Sequence, residues 1–298
     1  MKQEFYVKQG RLITVNEWKQ GIADFRERAG QKQGSEQELR KSLLDSIKQR
    51  LPGTRFGIMF SGGLDSSLIA LIARKEKKDF VCYTAGYKDK NTKKPEDMEY
   101  AERAAEQLGL RLKTRVFDTS SAHRLFQRTA GLLGKKLVNV VNLGVGSVEL
   151  ACAEMAEKDN INILFSGLGS EEIFAGYHRH KKAADKHEEC WQGLMNMYER
   201  DLLRESAIAL GKDMRFLTPF LDKELIITAM RIGAEHKIRG AVSKVILREA
   251  AEEIGLPRSI AWRGKRAAQY GSRLDKAIGR LAKKHGLEYK KDYVKSLE

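Results

Sequence analysis

The residue types with the clearest chemical potential form the run Ser61-Gly62-Gly63-Leu64-Asp65-Ser66-Ser67. This run joins an apolar strand pattern at residues 55–60 directly to a helical pattern. Small residues at such a junction let backbone N–H groups and the positive end of the helix close around an anion. The run therefore predicts a phosphate loop, although it lacks the lysine-containing GxxxxGK[ST] pattern of ATPases. The alternative is a glycine turn before an ordinary helix.

A second run, Ser166-Gly167-Leu-Gly-Ser-Glu171-Glu172-Ile-Phe-Ala-Gly-Tyr177, follows another strand pattern at residues 161–165. A helix is predicted to begin near Ser170. Ligands of parallel sheets bind at the carboxyl ends of the strands, so both runs are expected at one edge of the sheet. The alternative is that Glu171 and Glu172 merely stabilise the start of a helix.

Basic residues follow in two further segments. Lys244 and Arg248 share the segment Lys244-Val-Ile-Leu-Arg248, and Lys265 lies in the segment Leu256-Pro-Arg-Ser-Ile-Ala-Trp-Arg-Gly-Lys265. A fixed cation stabilises the charge that develops on a phosphoryl group during transfer. The alternative for each lysine is a position on a solvated helix face.

Strands that alternate with helices must position these residues. Such alternation is typical of a parallel sheet covered by helices on both faces. Strands are predicted at 55–60, 80–87, 111–117 and 161–165, and helices at 35–51, 66–75, 96–108 and 147–157. No strand pattern is found after Ala183, which predicts a helical C-terminal part.

Three segments are predicted along the chain: a polar extension at residues 1–34, one α/β domain at 35–285, and a basic tail at 286–298. The apolar fraction of 42% is sufficient for a core. The three cysteines have no CxxC spacing, which excludes a disulfide framework and predicts a cytoplasmic location. No leader or membrane-spanning stretch is expected. The net charge of +15 favours polyanionic ligands such as nucleotides or RNA.

Taken together, the runs resemble, in collinear order over residues 36–280, the synthetase domain of asparagine synthetases, which are ATP pyrophosphatases. The SGGLDSS run resembles their pyrophosphate loop. The resemblance implies an adenine nucleotide alpha-hydrolase-like (PP-loop) fold and the cofactors ATP and Mg²⁺. It is most similar to stand-alone asparagine-synthetase-domain proteins that have no glutaminase domain.

The resemblance also implies a role for each matching residue. Asp65 and Glu171 would bind Mg²⁺, Lys265 would stabilise the transition state and the leaving pyrophosphate, and Lys244 would assist at the phosphates. The nucleotide would be bound by the residues of both loops and two neighbouring strands: Met59, Ser61, Gly62, Gly63, Asp65, Ser66, Ser67, Ala85, Ser166, Gly167, Glu171, Lys244 and Lys265.

Four departures from the family pattern bear on the acceptor and the nitrogen source. Met1 is followed by Lys2 instead of a catalytic cysteine, so ammonia is expected from solution or from a separate glutaminase, unless another amine reacts. Leu168 replaces a glutamate of the acceptor half-reaction, and Glu171 replaces an aspartate. The family motif before Pro219 is incomplete, so Asp222 is expected to be structural.

The predicted function is a Mg-ATP-dependent ligase that activates a small carboxylate as acyl-adenylate, releases pyrophosphate and forms an amide with ammonia or an amine. One alternative is a tRNA-modifying adenylating enzyme, since the chain beyond residue 263 is rich in Lys and Arg. Another is a non-catalytic nucleotide-binding regulatory subunit, suggested by Leu168. The sequence predicts no oligomeric state.

Overall fold

The computed structural model describes residues 2–90, 92–264 and 267–297. Its strands are β1 (Val7–Lys8), β2 (Arg11–Leu12), β3 (Phe56–Met59), β4 (Phe80–Tyr87), β5 (Leu112–Phe117), β6 (Ile163–Phe165), β7 (Arg215–Leu217), β8 (Ile238–Arg239) and β9 (Val242–Ser243). The helices of the first half are α1 (Val15–Gly30), α2 (Glu36–Lys48), α3 (Leu64–Lys75), α4 (Glu96–Leu108), α5 (Thr119–Leu137) and α6 (Val140–Lys158). Those of the second half are α7 (Ser170–Ile173), α8 (His178–Lys182), α9 (Lys186–Met197), α10 (Leu203–Gly211), α11 (Lys223–Met230), α12 (Ala234–Lys237), α13 (Val245–Ile254), α14 (Arg258–Ala261), α15 (Ala268–Gly271), α16 (Leu274–Lys284) and α17 (Lys290–Lys295).

The central sheet contains five parallel strands in the order β5-β4-β3-β6-β7. From β3 the chain moves outward through β4 to β5 and then returns to β6 on the other side of β3. Ile58 of β3 consequently pairs with Cys82 of β4 and with Phe165 of β6. The strand order reverses between β3 and β6, and ligands of open α/β sheets bind at such a point. Both sequence runs singled out above follow these two strands.

Helices cover both faces of the sheet, which confirms the predicted fold class. Successive strand residues point to opposite faces. Cys82 and Phe165 pack into a core with α1, α2, α3, α11 and α13, whereas Tyr83 and Leu164 pack into a second core with α5, α6, α16 and α17. The four predicted strands are confirmed as β3 to β6. The prediction missed α5 altogether.

The prediction that no strand follows Ala183 is wrong. β7 pairs in parallel with β6, with Leu217 opposite Phe165, and the short hairpin β8-β9 lies further along the chain. β7 has only three residues, and it begins with the exposed Arg215. A strand this short is too brief to show an alternating pattern.

The N-terminal segment, predicted as a polar extension, contributes to the core. In α1, Trp18, Ile22, Phe25 and Ala29 are buried, and the Trp18 indole Nε1 donates to the carbonyl of Leu194 at 3.0 Å. Thr14 and Glu17 form a reciprocal capping box at its start. The predicted basic tail likewise places Tyr293 of α17 in the second core.

Asp222 has a structural role, as expected. It accepts from the backbone N–H groups of Glu224 and Leu225 at the start of α11 and pairs with Arg50 at 2.7 Å. The Arg50 guanidinium is buried and also pairs with Glu4. These contacts join the N-terminus to the C-terminal helices. Within the described residues, no helix combines the length and apolarity needed to cross a bilayer.

Replacing Trp18 with Ala should lower the free energy of unfolding by about 3–5 kcal/mol, because a fully buried indole leaves a cavity and an unpaired carbonyl. Urea unfolding followed by circular dichroism measures this loss. Leu210→Ala is the control: this side chain is 60% exposed, so its loss should change stability by less than about 0.5 kcal/mol. A loss below about 1 kcal/mol for Trp18→Ala would show that α1 lies outside the cooperative core.

Candidate active site

A glycine turn links the carboxyl end of β3 to the N-terminus of α3. Gly62 has a left-handed φ of 64°, and a Cβ there would collide with the backbone of Tyr100, so only glycine fits. Gly63 occupies the N-cap position and, being glycine, has no side chain to cap the helix. The N-cap residue therefore provides no side-chain acceptor for the first-turn N–H groups of α3, which suits an anion.

The hydroxyl of Ser67 lies one turn into α3. The residue is fully buried, and its Oγ has no hydrogen-bond partner within the described part of the chain. Buried hydroxyl groups are nearly always paired in native proteins. An unpaired Oγ at the base of an uncapped helix start therefore fits a ligand that brings acceptor oxygens.

The Lys244 ammonium joins the two carboxylates predicted to share a metal ion. Its Nζ lies 3.0 and 2.9 Å from the two oxygens of Asp65 and 2.9 Å from Oε1 of Glu171. It also donates to the Ser170 hydroxyl at 2.9 Å. The side chains of Lys244, Asp65 and Glu171 are only 4%, 7% and 14% exposed. The structure thus brings together Asp65, Glu171 and Lys244 from three distant segments.

The backbone around this cluster is shaped to accommodate it. Lys244 precedes α13 in a left-handed conformation, with φ 58° and ψ 31°, which is uncommon for a residue other than glycine and typical of functional sites. Gly176 faces the same cluster, where a Cβ would collide with Glu171 and with the Lys244 side chain. A glycine is thus required where the lysine meets the glutamate.

Glu171 and Glu172 point in different directions. Glu171 contacts Lys244, whereas the fully buried Glu172 pairs with Arg200 in the interior. Burial and the neighbouring Asp201 raise the pKa of Glu172 to about 7. Each glutamate therefore has a specific partner, which goes beyond a general preference for acidic residues at a helix start.

The loop that follows β6, which begins at Ser166, is held by a buried carboxyl group that the sequence did not indicate. Ser166 Oγ donates to Oε1 of the buried Glu205 at 2.7 Å and accepts from the N–H of Leu168 at 3.2 Å. Burial, together with the charge of Glu149, raises the pKa of Glu205 to about 8. Gly167 faces the Cβ of Asp65, so the two loops are in close contact. Leu168 is half-buried and packs against the first core.

Arg263 connects the third sequence segment to the phosphate loop. Its guanidinium donates to the Ser61 carbonyl at 2.8 Å, pairs with Asp97 at 2.9 Å and stacks over the ring of Tyr100. Arg248 supports this segment by donating to the carbonyls of Ala261 and Arg263. Lys265, predicted to be catalytic, lies outside the described residues.

The remaining predicted nucleotide residues lie on the two neighbouring central strands. Met59 ends β3 and is half-buried, and Ala85 is buried in β4. Both pack against the second core. Their contact with a nucleotide remains a prediction.

Within the described residues, no group of three or more His, Cys, Asp or Glu side chains could bind a metal ion. His180 is buried, its Nδ1 accepts from the N–H of Tyr177, and burial lowers its pKa to about 4. With only two carboxylates available among the described residues, a metal ion beside the phosphate loop would bind Asp65 and Glu171 and would take its other oxygen ligands from phosphates and water, as Mg²⁺ commonly does.

Comparison with known proteins identifies the family. The family model described as asparagine synthase matches residues 38–193 and 182–288. The chain belongs to the asparagine synthase family. This is a family of ATP-using carbon–nitrogen ligases.

Relatives in the asparagine synthase family include a Methanocaldococcus jannaschii protein, provisionally assigned as asparagine synthetase [glutamine-hydrolyzing] 1. It is 30% identical over 85% of this chain and 52% of its own length. Asparagine synthetase B [glutamine-hydrolyzing] of Escherichia coli is 28% identical over 76% of this chain and 43% of its own length. The chain therefore spans about half the length of these relatives. Among solved structures, the NH₃-dependent NAD synthetase from Campylobacter jejuni is 14% identical to this chain. The match covers 88% of this chain and 91% of the synthetase, with a TM-score of 0.41.

Two residues of this asparagine synthase-family site escaped sequence reasoning for different reasons. Arg263 lies within the segment that carries the family resemblance, so its place in the motif was a usable signal. Glu205 lies on α10, 39 positions from Ser166, and nothing in its local sequence marks it as part of the site.

Replacing Glu205 with Gln should flatten the dependence of stability on pH. Because burial and the charge of Glu149 raise its pKa to about 8, Glu205 is expected to stay protonated in the folded chain at pH values where an unfolded glutamate, with a pKa near 4.3, has lost its proton. The native state thus binds more protons in this window, and stability falls as the pH rises through it. The amide can still accept from Ser166, so at pH 8.5 the variant should be more stable than wild type by about 1 kcal/mol or more.

Denaturant unfolding at pH 5.5 and pH 8.5 measures this effect. Glu27→Gln, at an exposed position on α1, is the matched control and should follow the wild-type profile. Identical profiles for wild type and Glu205→Gln would show that Glu205 does not carry the proton.

Proposed function

We propose that the chain is a Mg-ATP-dependent amide-forming ligase that activates a carboxylate as acyl-adenylate, releases pyrophosphate and uses ammonia or another amine. One observation carries the proposal. The buried Asp65 and the mostly buried Glu171 both contact Lys244 beside the start of α3, where the strand order of the sheet reverses. Membership of the asparagine synthase family and relatives named asparagine synthetases support it.

The described residues fit ATP and Mg²⁺. Gly63 at the N-cap of α3 has no side chain that occupies the helix start, the unpaired Ser67 hydroxyl offers a donor, and two adjacent carboxylates suit a divalent cation. Bound Mg²⁺ would neutralise charge on the phosphates. Asp65 and Glu171 would hold it, and Ser166 and Gly167 would contact the adenine.

The chemistry then needs two displacements. A carboxylate oxygen of the acceptor attacks the α phosphorus of ATP, the bond from that phosphorus to the bridging oxygen breaks, and pyrophosphate leaves. The amine nitrogen next attacks the acyl carbon, loses a proton and displaces AMP. Lys244 and Lys265 would stabilise the negative charge on the departing pyrophosphate. Arg263 would keep the loop at Ser61 in place through its bond to the Ser61 carbonyl.

Replacing Asp65 with Asn should abolish metal-dependent pyrophosphate release while leaving the protein folded, because one charge of the metal pair is removed and the shape is retained. The assay combines the chain with Mg-ATP, ammonium and a panel of small carboxylates that includes aspartate, and hydroxylamine traps the acyl-adenylate. Asp213→Asn, in the turn before β7, is the matched control. A turnover in Asp65→Asn equal to wild type would remove Asp65 from the mechanism.

A tRNA arm in the same assay addresses the alternative acceptor suggested by the basic charge. Pyrophosphate release that requires tRNA and no free carboxylate would replace the proposed acceptor. Nucleotide binding without pyrophosphate release in any arm would favour a regulatory subunit.

Glutamine should not serve as the nitrogen source for this chain, because none of its thiols is poised to act as a nucleophile. Cys82, Cys152 and Cys190 are all buried, and burial raises the pKa of each thiol, that of Cys152 to about 12. Amide hydrolysis by cysteine requires an accessible thiolate. Ammonium should therefore support amide formation, and glutamine should do so only when a separate glutaminase is added.

Quantification of glutamate after incubation with glutamine checks this expectation. An active glutaminase serves as the positive control. Glutamate formed by the purified chain alone would contradict the expectation.

A further inference from the structure

The Lys244 ammonium lies where a metal ion shared by Asp65 and Glu171 would have to bind. Its Nζ is within 3.0 Å of oxygens from both carboxylates. The same nitrogen donates to Ser170, which directly precedes Glu171 in the chain. The ammonium of Lys244 thus lies between the carboxylates of Asp65 and Glu171, in the position that a shared metal ion would take.

A divalent cation and this ammonium compete for the same oxygens. The ammonium places a positive charge between the two carboxylates, and the Arg248 guanidinium also interacts electrostatically with both. A metal ion placed beside Lys244 would therefore meet electrostatic repulsion. The lysine side chain is only 4% exposed and is packed against Gly176. If a metal ion displaced the ammonium from the carboxylates, the charged lysine would remain buried without a new partner, which is energetically costly.

A triphosphate changes this balance. It brings several negative charges to the uncapped start of α3, next to Asp65. The phosphate oxygens would pair with the Lys244 ammonium when the carboxylates of Asp65 and Glu171 bind a metal ion. Binding of metal and nucleotide would then be thermodynamically coupled, and such coupling acts equally in both directions.

We propose that Lys244 is an internal counter-ion that closes the Asp65–Glu171 pair to free divalent cations and yields it only when a triphosphate arrives. The inference rests on the proposed function, because that function makes the pair a metal site. Lys244 is then a positioning residue before it contacts the phosphates, and the metal enters together with the nucleotide.

Binding of Mn²⁺ without nucleotide tests the proposal. Replacing Lys244 with Met removes the charge and keeps much of the side-chain volume. We expect Mn²⁺, followed by electron paramagnetic resonance of the free ion, to bind Lys244→Met at least tenfold more tightly than wild type. Lys244→Arg should remain as weak as wild type. The double variant Lys244→Met/Asp65→Asn should lose the gain, which shows that the carboxylates are the ligands.

Lys276→Met is the matched control, since Lys276 is exposed on α16 and its loss should leave Mn²⁺ binding unchanged. A dissociation constant for Lys244→Met within twofold of wild type would overturn the proposal. Wild type that binds Mn²⁺ equally tightly with and without a non-hydrolysable ATP analogue would overturn it as well.

Thermal unfolding gives a second measurement that does not depend on activity. Lys244→Met removes the ammonium that contacts both carboxylates, so its melting temperature should be lowered and should be raised again by millimolar Mn²⁺. Lys244→Gln provides a smaller change if the Met variant does not fold, and the wild-type melting temperature should not respond to Mn²⁺ alone. A Lys244→Gln variant that folds and shows no Mn²⁺ response would count against the counter-ion role.

Failure of this inference is distinguishable from failure of the proposed function. Pyrophosphate release by wild type, with no gain of Mn²⁺ binding in Lys244→Met or Lys244→Gln, would remove only the counter-ion role. A gain of Mn²⁺ binding in a chain that releases no pyrophosphate would retain the counter-ion role and remove the ligase.

Discussion

The site depends on one lysine that is buried between two carboxylates. Asp65 lies in the first turn of α3, Glu171 follows β6, and Lys244 precedes α13, so a single ammonium joins segments that are 179 positions apart at most. Removing one partner of a buried ion pair typically costs about 3–5 kcal/mol, because the other charge is left uncompensated. The sheet determines where the two loops meet, and Lys244 contacts the carboxylates of both. A Cβ at Gly176 would collide with Glu171 and Lys244 in this cluster, whereas a Cβ at Gly62 would collide with the backbone of Tyr100.

A second group of buried charges supports the site from the interior. Glu172 pairs with Arg200, and Glu149 pairs with Arg204 at 3.1 Å. Glu205 holds the hydroxyl of Ser166 in the same region. Burying so many ionisable groups carries a desolvation cost that apolar residues would avoid, and the raised pKa values of Glu149, Glu172 and Glu205 reflect that cost. These buried charges position the site: Glu205 accepts a hydrogen bond from the hydroxyl of Ser166, at the start of the loop that contacts Asp65.

The sequence predicted those parts of the fold that depend on local pattern. β3, β4 and β6 are apolar runs bounded by polar residues. The turn at Gly62 and Gly63 was recognisable because two glycines lie directly between a strand pattern and a helix pattern. β7 was missed because three residues show no alternation. In α1, the buried residues Trp18, Ile22, Phe25 and Ala29 recur at spacings of three and four, so a usable helical signal was overlooked there. The bonds from Glu205 to Ser166 and from Arg263 to Ser61 join residues distant in sequence, so no local pattern could reveal them. Lys244 was anticipated as a phosphate contact, but its bridge between the two carboxylates was not.

The two departures from the family pattern in the second loop affect different halves of the proposed reaction. Where the family usually has an aspartate, Glu171 is longer by one methylene, and the absence of a Cβ at Gly176 leaves space for it to contact Lys244. The longer carboxylate therefore keeps its contact with Lys244 in the charge cluster, as the proposed adenylating half requires. Leu168, in contrast, packs its side chain against the apolar core and offers only its backbone N–H to Ser166. The described contacts among Asp65, Glu171 and Lys244 do not involve that side chain. In the proposed reaction, a different acceptor is therefore compatible with an intact charge cluster.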